Sequence, residues 1–86
     1  MNINGLIAII RNKIEKTVVV QNLNIEDKSF LHKKHKEYKE GKFHLKLTIQ
    51  SKELTNLGKI VATKRIYGIL DYELKNYIHS IQLLFI

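Results

Sequence analysis

The stretch Phe43-His44-Leu45-Lys46-Leu47-Thr48-Ile49-Gln50 alternates apolar and polar residues without a break. Successive side chains of a strand point to opposite faces, so the pattern predicts a strand with Phe43, Leu45, Leu47 and Ile49 buried and His44, Lys46, Thr48 and Gln50 in water. A half-buried strand needs neighbours in a sheet and a layer over its apolar face, and the flanking sequence supplies candidates for both. Downstream, Ser51 to Lys59 reads as a polar turn, with Asn56 and Gly58 as turn signals. A helical stretch follows from about Lys59 to Lys75, with Ile60, Tyr67, Leu70, Leu74 and Tyr77 at helical spacing and a break or bend expected at Gly68. Ile78 to Ile86 reads as a last strand, with residues 79, 81, 83 and 85 on one face.

Upstream, residues 24 to 42 carry many charges and no period, and they read as a long loop of a length that is often functional. Before it, Thr17-Val18-Val19-Val20 is β-branched and predicts a first strand reaching about Leu23. Ile3, Leu6, Ile7, Ile10 and Ile14 recur at helical spacing, which predicts an amphipathic first helix. The order is helix, two strands, one or two helices, strand. It implies an α/β (α+β) fold in which a three-stranded sheet carries helices on one face. The first two strands form an antiparallel hairpin, and the last is added at an edge after a helical crossover.

The chain of 86 residues has the length of a single domain, residues 1–86. A domain of this size buries only about 60% of its unfolded surface, which leaves little room for a deep enclosed site. There are no cysteines, so neither disulfides nor thiolate metal sites are available within it. No signal-peptide pattern opens the chain. No apolar run approaches the roughly 20 residues of a spanning helix, so the expected setting is cytoplasmic, with no membrane partner. The net charge is +7. Lys28, Lys33, Lys34, Lys36, Lys39, Lys42 and Lys46 stand against only Glu37 and Glu40, which concentrates most of that charge in one segment. Such a block attracts polyanions or acidic proteins, and equally suits a solvated loop.

No nucleophile elbow, phosphate-cradling glycine loop or HExxH pair is present, so nothing points to an enzyme. The histidines are the remaining candidates for chemistry. His32 and His35 lie in the basic loop, where spacing fixes no geometry, and His44 falls on the wet face of its strand. His79 opens the last strand on the parity of Ile81, Leu83 and Phe85. That position suits a histidine bonded to a backbone carbonyl, or one that coordinates a metal from an open edge. For nucleic acid, Lys33, Lys34 and Lys36 of the loop, with Lys59, Lys64 and Arg65 on the later helix, are the candidate phosphate contacts.

Taken together, these residues resemble the BolA-like proteins over nearly the whole chain. The family's acidic-serine-histidine loop pattern matches Asp27-Lys28-Ser29-Phe30-Leu31-His32. Its strand ending in serine matches His44 to Ser51. Its arginine-histidine-arginine signature falls on Ala62-Thr63-Lys64-Arg65-Ile66-Tyr67, keeping Lys64, Ile66 and Tyr67 but replacing the first arginine and the histidine. Its Glu-Leu pair and final strand match Glu73-Leu74 and Ile78-His79-Ser80-Ile81. The resemblance implies an αββααβ fold similar to a class II KH arrangement. It also implies a non-enzymatic partner of a monothiol glutaredoxin that shares a [2Fe–2S] cluster. The partner's cysteine and glutathione would give two thiolates, with His79 and His32 completing the set and His35 the alternative to His32. Imidazole ligation raises the potential relative to all-thiolate ligation. Because each ligand imidazole must be unprotonated at its bonding nitrogen, acid should weaken binding. No cofactor is expected in the isolated chain, which would be a monomer or weak dimer. DNA binding, a role attributed to bacterial members, is the alternative function the resemblance implies.

Overall fold

A computed structural model describes residues 1–29 and 42–86. Helix α1 spans Ile3–Thr17, with Asn2 as its N-cap: the side-chain oxygen accepts a hydrogen bond from the Gly5 amide at 2.7 Å. Leu6, Ile10 and Ile14 repeat every four residues and are buried, so the predicted apolar stripe is the face that meets the sheet.

The β-branched run ends α1 but does not form the strand predicted from it. Strand β1 spans Asn22–Asp27, beyond that run, overlapping the predicted strand only at Asn22 and Leu23 and continuing into the stretch read as a loop. Val18 instead drops into the core. The Val19 amide donates to Glu53 Oε2 at 2.8 Å, and its carbonyl accepts from Ser51 Oγ at 2.7 Å. Leu23 and Ile25 carry the buried face of β1. The period-2 signal was hidden because only two apolar residues mark it among Asn22, Asn24, Glu26 and Asp27.

Strand β2, Phe43–Gln50, is as predicted and is the centre of a three-stranded sheet in the order β1-β2-β3. It pairs antiparallel with β1, Leu23 facing Ile49 and Ile25 facing Leu47. On its other side it pairs parallel with β3, Ile78–Phe85, Leu45 facing Ile81 and Ile49 facing Phe85. The hairpin and the edge addition through a crossover are thus as expected.

The crossover begins with a helix where a turn was expected. Helix α2 spans Lys52–Leu57, and Ser51 caps it by accepting from the Leu54 amide at 3.2 Å. The cap and the buried Leu54 outweigh the polar composition of the segment. Gly58 then turns the chain at φ 84°, a conformation that other residues rarely adopt, and opens α3, Lys59–Ile69. The break before α4, Asp71–Asn76, falls at Leu70 rather than Gly68. The buried face of α3 is Ala62 and Ile66, continued by Leu70. Ile60 is 73% exposed and Tyr67 is also exposed. The small Ala62, which carries little weight in an apolar pattern, decides which face turns inward. The core is one cluster: Leu6, Ile10, Ile14, Leu54, Ala62, Ile66 and Leu70 from the helical layer lie against Leu23, Ile25, Leu45, Leu47 and Ile49, with Ile81, Leu83 and Phe85 at its margin.

Candidate functional site

Among the described residues, two surfaces gather the groups able to carry chemistry. The first lies on the open face of the sheet, at the start of β2 and β3. The ladder shifts there by one residue: Phe43 pairs with Ile78, but His44 pairs with Ser80. His79 is therefore the extra residue, and both it and Ser80 are exposed while Ile78 is buried. This corrects the expected parity, which had put His79 on the side of Ile81, Leu83 and Phe85.

The same shift explains His44, which alternation placed in water. His44 is 5% exposed. Its Nδ1 lies 2.6 Å from Ser80 Oγ, and its ring centroid lies 4.7 Å from that of His79 at an interplanar angle of 53°. Its amide donates to Ser29 Oγ at 3.1 Å, its carbonyl accepts from the Lys28 amide at 2.7 Å, and the Ser29 amide donates in turn to Asp27 Oδ1 at 2.9 Å. His44 is thus fixed from both strands, and His79 rests on it with its other side open. Among the described residues, the ring of His79 contacts His44 and takes part in no hydrogen bond. His32, His35, Lys33, Lys34 and Lys36 lie outside the described residues.

The face fits part of a metal or cluster ligand set. An exposed imidazole can offer a ring nitrogen outward. Among the described residues, no three His, Asp or Glu side chains converge to hold a metal ion. His79 could therefore ligate only together with groups brought by other segments or molecules.

The second surface is a shallow groove between α1 and α3. Lys13, Lys16 and Thr17 line one wall; Lys64, Arg65 and Gly68 line the other, with Ile69 beside them. Each set falls at helical spacing on one face. Lys13 is held by Glu73 on α4, with Nζ 2.7 Å from Oε2 and 2.9 Å from Oε1, and it lies 5.8 Å from the centre of the Tyr72 ring. Glu73 is 3% exposed, so this ion pair fastens α1 to α4 at the groove's end. Nearby, the phenol of Tyr77 sits above its ordinary pKa, chiefly through a hydrogen bond with Tyr72, then through the charge of Tyr72, some loss of hydration and, last, the charge of Glu73.

Of the predicted cationic contacts, Lys64 and Arg65 share this groove. Lys59 lies at the other end of α3, beside Leu54, Leu84 and Ile86. Lys13 and Lys16 were not singled out from the sequence. They fall off the apolar stripe of Ile3, Leu6, Ile7, Ile10 and Ile14, but which helix they face depends on a segment some fifty residues away. Thr63, at the position where a histidine is usual, is half-buried.

Comparison with known proteins gives one consistent answer. The model of the family described as BolA-like protein matches residues 14–85. The chain is 35% identical over 75 residues to the "DNA-binding transcriptional regulator BolA" of Haemophilus influenzae, covering 87% of this chain and 70% of the relative. Among solved structures, the BolA domain of SufE1 from Arabidopsis thaliana superposes with a TM-score of 0.77 at 27% identity, over 99% of this chain and 92% of the other. BolA1 from the same plant gives a TM-score of 0.76 at 23% identity, over 91% and 86%, a likeness of fold.

Proposed function

The chain belongs to the BolA-like protein family, and on that premise we propose that it is a non-enzymatic adaptor. It docks a monothiol glutaredoxin and shares a [2Fe–2S] cluster with it, in iron–sulfur trafficking or iron and redox regulation. The observation that carries this reading is His79: an exposed imidazole, turned to the open face by the strand shift and backed by the fixed ring of His44. A chain without cysteine can contribute only nitrogen or oxygen donors, so a cluster bound here draws its thiolates from the partner and glutathione. The cluster supplies a one-electron centre whose potential rises with imidazole ligation.

The roles of the chain's own groups follow from their positions. His79 offers one nitrogen ligand. His44, with its Nδ1 against Ser80, positions that ring from beneath. Ser29, bonded to the His44 amide, brings the chain that leads to His32 to the same face. Three residues of extended chain span about 10 Å, which is the greatest distance at which position 32 can stand from Ser29.

The test is titration of a cluster-loaded monothiol glutaredoxin with this protein, followed by visible absorption and circular dichroism. Wild type should give a new cluster spectrum, and His79→Ala should remove it. A spectrum indifferent to His79→Ala would overturn the reading, and His32→Ala decides the second ligand.

A second reading, a DNA-binding regulator, is favoured by the cationic groove between α1 and α3 and by the name of the Haemophilus relative. Binding to phosphates through several cations falls steeply with salt, which is its signature.

A further inference from the structure

We propose that the α1–α3 groove is a seat for the phosphodiester backbone of nucleic acid, with Lys16, Lys64 and Arg65 supplying the charge and Gly68 the room for close approach. The inference rests on the second reading above and assigns it a place other than the lysine-rich segment.

Two independent observations meet in this groove. The first is charge. Lys13 is already matched by Glu73, but Lys16, Lys64 and Arg65 have no carboxylate partner among the described residues. They stand on two helices facing one open channel, a distribution that suits a ligand whose negative charge repeats along its length.

The second observation is Gly68. Glycine inside a helix is unfavourable relative to alanine. Such a residue usually has a packing reason, but a Cβ built here meets nothing within 4 Å. Gly68 does not bend the chain either, since α3 continues through it to Ile69. Its bare backbone lines the same groove as the cations, where a methyl group would stand in open space. The absent side chain therefore serves what enters the groove.

The occupant follows from what the groove lacks. Protein partners are anchored by aromatic and branched aliphatic side chains in desolvated pockets, and here Ile69 is the one such residue among the described lining residues, the rest of the apolar lining being the methylene stems of lysines and arginine. A free phosphate is held in an enclosed cradle of amides, whereas this channel is shallow and open. A sugar-phosphate backbone needs neither anchor nor enclosure. The contacts so provided read charge and not base edges, so binding here is independent of sequence.

The experiment is fluorescence anisotropy of a short mixed-sequence DNA duplex with the full chain across a salt series, with polyglutamate and inorganic phosphate as competing probes. Wild type should bind at low salt. Lys16→Ala, Lys64→Ala and Arg65→Ala should each lower the slope of log affinity against log salt by about 0.9. Lys52→Ala, on the exposed side of α2, should leave binding unchanged. Gly68→Ala should raise the melting temperature by a few degrees and yet weaken duplex binding, a combination that damage to the fold cannot produce. If the triple alanine variant keeps wild-type affinity and slope, the groove is not the seat, and the DNA reading survives elsewhere on the chain. If wild type fails to bind the duplex, the groove and the DNA reading fall together, leaving the adaptor reading untouched. Groove-dependent binding of polyglutamate or phosphate without duplex binding would also overturn the proposal.

Discussion

Glu73 and Lys13 form one ion pair with two unequal ends. The carboxylate side chain is 4% exposed and the lysine side chain 40%. Removing the lysine leaves a buried anion without its nearest counter-charge, whereas removing the anion leaves an ammonium that can turn to water. Lys13→Ala should therefore cost about 3 kcal/mol and Glu73→Gln about 1 kcal/mol in urea denaturation. Equal losses would mean that the pair behaves as an ordinary surface contact. The sequence marked Glu73 through its likeness to a family motif, but nothing in α1 named its partner. His44 is the complementary case. Alternation put its side chain on the correct face and then misjudged its burial, because the cover comes from His79 and Ser80 of a strand thirty-odd positions away. A pattern local to one strand holds no record of a neighbour's extra residue.

Helix α2 is short, and its existence depends on its start. The hydroxyl of the buried Ser51 accepts from the Leu54 amide and donates to the Val19 carbonyl, so one group caps the helix and pins the link between α1 and β1. Ser51→Ala removes both bonds of a buried hydroxyl; it should cost about 2 kcal/mol in thermal denaturation, more than a simple exposed cap. Ser51→Thr, which keeps the hydroxyl, should recover part of this. The elements best read from sequence were those with strong periods: α1, with its isoleucine stripe, and β2, with strict alternation. Strand β1 was placed too early and helix α2 was missed, because each has few apolar residues and is held by contacts distant in sequence. In α3 the deciding residue was Ala62, whose small side chain gives no periodic signal although it is fully packed.

The whole molecule hangs on β2, which is paired on both edges and covered by the helical layer. Leu47 is its fully buried midpoint, facing Ile25 on one side and Leu83 on the other. Leu47→Ala should cost about 3 kcal/mol, a large fraction of what a small domain has, and show as a lowered denaturant midpoint with an unchanged slope. At this scale the sequence reading was most complete, because class, hairpin and crossover depend on the order of elements more than on their bounds. The site was legible only in part: His79, Lys64 and Arg65 could be named, but not the strand shift that exposes the histidine or the α1 lysines that face α3. The parallel pairing of β2 with β3 has a further consequence, in time rather than in space. The hairpin with β1 joins strands consecutive in the chain, but pairing on the other edge of β2 needs the three helices of the crossover to bring β3 across. Until it is paired, that edge offers Leu45, Leu47 and Ile49 and a row of unpaired amides to any extended chain it meets. Whenever the crossover lags behind the hairpin during refolding, the most apolar strand is half-clothed, so changes that slow the crossover should favour association of the refolding chain over closure on itself.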